Sequence, residues 1–211
     1  MRREHYRWAM HWFDNADAIA PALPAIWLVR TGVNPRNLTE RAALRRGTAR
    51  QVLARQLGCR EDDVVIDHDK AGRPLLALPE TPGLHVSLAT RAGGVAIGLA
   101  QHPLGVDVES VEARAIAPLD LLHPDERRFL EATAPSIRPL AFARLWAAKE
   151  AYVKAIGTGF VRPPESFCVS LPSETRFNVF DPLSGTDHQG ELRLMKNGGQ
   201  DVLAAAAIVL D

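Results

Sequence analysis

Two stretches of this chain, about 40 residues apart, carry periodicities that no single kind of element can satisfy. Gly105-Val106-Asp107-Val108-Glu109 alternates apolar and acidic residues, the period of two expected of a strand with one buried face. Residues 141–156 contain neither Gly nor Pro, and alanine is frequent among them. There Phe142, Leu145, Trp146, Val153 and Ile156 recur at helical spacing before Gly157. A strand bearing two acids and a long helix must therefore share one fold.

On the strand, Asp107 and Glu109 point the same way and lie roughly 7 Å apart at the backbone, close enough for their oxygens to converge on one ion. Like charges at about 4 Å repel by about 4 kcal/mol at a surface-like dielectric, so such a pair needs a cation, a proton or solvent. No lysine or arginine lies between Gln101 and Val111 to neutralise it locally. The plain alternative is a half-exposed edge strand with its acids in water. On the helix, Lys149 falls within the apolar stripe, and Glu150 and Lys154 flank it one turn apart. A core-facing lysine is costly unless its ammonium meets an anion. A snorkelling lysine beside an ordinary Glu150–Lys154 pair is the corresponding plain reading.

Taken together, Gly-Val-Asp-Val-Glu at 105–109 and Trp146-Ala147-Ala148-Lys149-Glu150-Ala151-Tyr152-Val153-Lys154 resemble the signature of the 4'-phosphopantetheinyl transferases. The chain length is similar to that of the larger, two-lobed Sfp-like branch. A weaker similarity lies upstream, where Gly72-Arg73-Pro74 stands for a Gly-Lys-Pro turn and His85-Val86-Ser87-Leu88 for an Asn-x-Ser-His segment. The resemblance implies an α+β fold of two similar lobes related by a pseudo-two-fold axis, each a small antiparallel sheet packed with a long helix. The lobes would divide at 1–102 and 103–211, with the ligand in the cleft between them.

The resemblance also implies roles. Asp107, Glu109 and Glu150 would hold Mg²⁺, which all-oxygen donors suit better than zinc. Lys149 and Lys154 would neutralise the diphosphate of coenzyme A, with Lys154 acting on the leaving group. Arg73, Ser87 and one of the first helix's arginines (Arg45, Arg46 or Arg50, with Arg46 assigned) would hold its phosphates. The nucleophile would be a serine of an apo acyl- or peptidyl-carrier protein, and Glu150 or a water it holds would be the base. Leu88 replaces the family histidine that helps hold the 3'-phosphate, so that contact is missing or comes from His85 or Arg91. Two other readings compete: a non-catalytic carrier-binding module, and a Mg²⁺-dependent phosphohydrolase that uses water in place of serine.

Composition limits rather than identifies. At 46% apolar residues the chain can bury one good core or two small ones, and zero formal charge argues against a generic nucleic-acid binder. The charged start and the lack of an apolar run of membrane length lead to no expectation of a signal peptide or a membrane partner. Cys59 and Cys168 fit packing roles in a reducing cytoplasm better than a zinc site or a disulfide framework. A monomer is expected, because two lobes already supply both walls of a cleft. Strands are expected at 25–30, 64–66, 85–87, 95–100, 105–109, 167–171, 176–180, 191–195 and 203–210. Helices are expected at 39–57, after His123-Pro124, and at 138–156. The segment 115–129 is a candidate carrier-docking patch, although core packing explains its apolar residues equally well.

Overall fold

The computed structural model describes residues 9–112, 118–158, 161–196 and 202–210. In chain order these form β1 (His11–Phe13), β2 (Ala25–Arg30), α1 (Leu38–Leu57), β3 (Val65–His68), β4 (Pro74–Leu78), β5 (His85–Arg91), β6 (Gly94–Ala100) and β7 (Leu104–Ser110). They continue with α2 (Pro124–Ala132), α3 (Arg138–Ile156), β8 (Cys168–Ser170), β9 (Arg176–Asp181), β10 (Thr186–Lys196) and β11 (Val202–Val209). The expected α+β class is thus observed. Strands β1-β2-β6-β5 make one sheet, β7-β11-β10-β9-β8 a second, and β3-β4 a separate hairpin. Only the β1–β2 pairing is parallel among the described strands.

Alternation along the strands explains how these layers stack. In β2, Ala25, Trp27 and Val29 join a core with Val52 and Leu53 of α1, while Ile26 and Leu28 point to the opposite face. There they meet Val106 and Val108 of β7 and Ala205 and Ala207 of β11, so the two sheets pack face to face. Strand β7 obeys the same rule. Its valines enter the inter-sheet layer, leaving Gly105, Asp107 and Glu109 for the other face, where α3 lies. Each fully buried Val, Leu or Ile in such a layer contributes about 1.5–3 kcal/mol.

Helix α1 starts on Asn37, whose side chain accepts from Glu40 N–H, and ends at Gly58, at φ 67°. Helix α3 ends at Gly157 in the same left-handed conformation. Its approach to β7 requires Gly105, because a Cβ there would stand 1.8 Å from Ala151 O. Two tryptophans serve packing: Trp27 stacks on Phe13 and Trp146 on Phe142. Among the described residues no helix is long and apolar enough to cross a membrane. Of the candidate docking patch, residues 115–117 lie outside the described residues, and Leu119, Leu121 and Phe129 are exposed.

Candidate active site

The close passage of α3 over β7 sets Lys154 against the acidic strand. Its ammonium donates to Asp107 Oδ1 at 2.6 Å and to Val106 O at 3.2 Å. Asp107 is buried, and its other oxygen, Oδ2, has no hydrogen-bond partner. Burial raises the Asp107 pKa above the ordinary carboxylate value, and Lys154 opposes the shift. Glu109 is pushed up to about 7 by burial and then by the charge of Asp107, although Arg91 lies 3.3 Å from it. Glu150 on α3 is raised by burial and by Asp107 as well. Three carboxylates thus crowd one another with too little local positive charge.

This donor set fits a hard divalent cation. All three groups offer carboxylate oxygen, one buried oxygen is orphaned, and added positive charge would relieve the mutual repulsion. Their oxygens are not drawn together, however. Among the described residues, the trio of possible ligands within 4.8 Å of one another is His123, Asp125 and Cys168. Repulsion between the acids and the engagement of Asp107 by Lys154 account for the spacing.

Two cavities adjoin the acids. One, of about 390 Å³, lies between the 71–74 turn, β5 and the end of α3, and its walls include Arg45, Arg73, Ser87, Glu150 and Lys154. The other, of about 420 Å³, is lined by Arg41, Arg45, Arg91, Asp107, Glu109 and Lys154 among others. Arg45 and Lys154 belong to both. Burial lowers the Arg45 pKa, helped by the neighbouring charges of Arg46 and Arg41, so this wall gathers cations and would gain from an anion. Arg73 lies over the carboxyl end of α3, with Nη2 3.4 Å from Ile156 O, and its buried Nε has no hydrogen-bond partner, with Asp69 Oδ2 3.9 Å away. Ser87 Oγ accepts from Val106 N–H at 3.0 Å, tying β5 to the free edge of β7.

Two of the assigned residues stand apart from these cavities. Lys149 reaches neither cavity. Its ammonium is buried between Glu126 Oε1 at 2.6 Å and Phe167 O at 3.0 Å, 4.3 Å from the centre of the Phe167 ring. The anion it meets here is a protein carboxylate. Arg46 is exposed and lines neither described cavity, whereas Arg45 lines both. Arg50 is spent on Glu61 O and Asp62. His85 lines neither described cavity, and Arg91 lines the second beside Glu109. Sequence reasoning missed Arg41 and His68 as lining residues, and Glu126. The spacing His123-x-x-Glu126 at a helix start was the available signal for Glu126, and both halves of that capping box are present.

Comparison with known proteins gives a consistent result. The model of the 4'-phosphopantetheinyl transferase superfamily matches residues 103–207. The chain is 26% identical over 121 residues to the 4'-phosphopantetheinyl transferase gsp of Aneurinibacillus migulanus, covering 57% of this chain and 49% of that protein. It is 24% identical over 131 residues to the 4'-phosphopantetheinyl transferase Sfp of Bacillus subtilis (strain 168), covering 62% of this chain and 58% of that protein. The chain therefore spans about half the length of the curated relatives it matches.

Proposed function

The chain belongs to the 4'-phosphopantetheinyl transferase superfamily, and we propose that it transfers the 4'-phosphopantetheine arm of coenzyme A to a serine of an apo acyl- or peptidyl-carrier protein. The observation that carries this reading is the meeting of the acidic trio with an arginine-rich wall, Lys154 standing between them as a member of both cavities. A diphosphate needs that combination: cations for its oxygens and a carboxylate set for a metal beside it. In this reading the two halves of the chain form similar lobes about a pseudo-two-fold axis, and one copy suffices.

In the reaction the serine oxygen attacks the β-phosphorus of coenzyme A. The bond from that phosphorus to the bridging oxygen breaks, adenosine 3',5'-bisphosphate leaves, and the serine proton is lost. Lys154 donates hydrogen bonds to the departing phosphate as its charge grows. Arg45 and Arg73 hold the nucleotide phosphates, and Arg73 can do so bidentately. Glu150, whose pKa is raised by burial and by Asp107, takes the serine proton or orients the water that does. Asp107, Glu109 and Glu150 would hold Mg²⁺, which supplies Lewis-acid neutralisation of the diphosphate.

The test is intact-mass spectrometry of an apo carrier protein incubated with this protein, coenzyme A and Mg²⁺, with a chelator control. A Mg²⁺-dependent gain of one phosphopantetheine arm is expected. Coenzyme A binding without any gain across several carrier types would overturn transfer in favour of a carrier-binding module. Release of phosphate from nucleotides in place of transfer would favour the hydrolase.

A further inference from the structure

A second group of metal-binding side chains stands away from the cleft, where α2 meets β8. One ligand atom from each of His123, Asp125 and Cys168 lies within 4.8 Å of the other two. His123 caps α2, Asp125 lies in its first turn, and Cys168, a free cysteine, opens β8 more than 40 residues later in the chain. The backbone on both sides is fixed by one buried carboxylate. Glu126 Oε2 accepts from His123 N–H at 2.8 Å, and Oε1 accepts from Val169 N–H at 2.7 Å and from Lys149 at 2.6 Å. The three donors therefore sit on a rigid frame, and their approach does not depend on loop movement.

We propose that His123, Asp125 and Cys168 form a metal site, separate from the acidic cleft, for a borderline-soft divalent ion of the zinc class. Thiolate, imidazole and carboxylate together suit Zn²⁺ or Co²⁺ and disfavour Mg²⁺. Three protein ligands leave a fourth position for water, and solvent can reach it because the His123 and Asp125 side chains are 31% and 54% exposed. Binding expels the Cys168 thiol proton to solvent and forms a bond from sulfur to metal. It also replaces weak contacts, among them that of the Cys168 thiol with Val169 O at 3.8 Å. Asp125 leaves the exposed guanidinium of Arg128, and the 3.3 Å bond from Asp125 N–H to His123 Nδ1 gives way if that nitrogen becomes the ligand. The bound ion clips α2 to β8, the two segments that Glu126 already ties together, and the partner of Glu126, Lys149, is one residue along α3 from Glu150.

Titration of the metal-free, full-length protein with Co²⁺ tests the site, because a thiolate ligand gives near-ultraviolet charge-transfer absorption that oxygen ligands do not. One equivalent of Co²⁺ is expected to develop that band, and Zn²⁺ to remove it. Excess Mg²⁺ and the Asp107→Asn substitution should leave it unchanged. Cys168→Ser should abolish the band with circular dichroism preserved. His123→Asn, which keeps a helix-capping side chain, should weaken Co²⁺ binding by at least about 10-fold. A folded wild-type protein that develops no band, or a band that survives Cys168→Ser, overturns the site. Either result leaves the Mg²⁺-dependent transfer assay untouched.

Discussion

Lys149 and Lys154 lie on the same helix and face different problems. Lys149 is sealed against Glu126, so Lys149→Met should leave a buried unpaired carboxylate and cost about 3–5 kcal/mol in stability, read from urea denaturation. Lys154→Met should cost much less, because Asp107, already raised by burial, can take up a proton when its partner is lost. Its expected effect is on chemistry instead, a fall in transfer rate of at least about 100-fold in the carrier-protein assay. The sequence made both lysines visible, Lys149 within the apolar stripe of the helix and Lys154 on its flank. It could not tell a phosphate from Glu126 as the partner of Lys149, because that choice depends on where α2 is laid down. Arg45 and Arg46 pose the same difficulty: adjacent in sequence, they are separated by 100° of helix rotation, and α1 carries no sharp apolar stripe to fix the phase.

At the scale of elements, the best-read segments were those whose own pattern determines them. Helix α3 runs over the expected 138–156, and β7 contains the expected 105–109. The short β1 lies outside the expected strands because three residues become a strand only by pairing with β2, and β4 because its short run follows directly on the Gly72-Arg73-Pro74 turn and is completed by β3. Strand β10 begins with Thr-Asp-His-Gln, which reads as loop until β9 supplies its partners. The contact of β7 with α3 has its own test. In Gly105→Ala the new methyl would press on Ala151 O and Ala155 N, which are helix backbone and cannot rotate away. A loss of about 1–3 kcal/mol in denaturant unfolding is expected, together with a higher Mg²⁺ requirement for transfer. A polar tie fastens the far side of α3. Asp181 is buried, which opposes its charge, yet Tyr152 hydroxyl, the Arg162 guanidinium and Leu183 N–H all donate to it and bring its pKa below 3.8. Because the folded value is the lower one, the stabilisation is fully present above the unfolded carboxylate value and is lost as pH falls through the folded value. Asp181→Asn should therefore be less stable at neutral pH, and its deficit should shrink under acid, as followed by thermal unfolding across pH.

For the whole molecule, the arrangement of charge matters more than its total, which is zero. Arg41, Arg45 and Arg91 come from the first half of the chain, and Asp107, Glu109, Glu150 and Lys154 from the second. Family resemblance implied a cleft between halves, but which cations would face the acids was not legible, because no local pattern records how two sheets are set against each other. Arg45→Ala should raise the KM for coenzyme A roughly 10-fold with little change in kcat, since a phosphate contact held equally before and during reaction is lost. That assignment fails if kcat falls instead. The layer between the sheets, built largely from alanine and valine with Ala96, Ala205 and Ala207 among its members, has a mechanical meaning here. It is a shim. Its thickness gauges the span between the arginine wall and the acidic strand, so residues that never touch a ligand set the tolerance to which the cleft is machined.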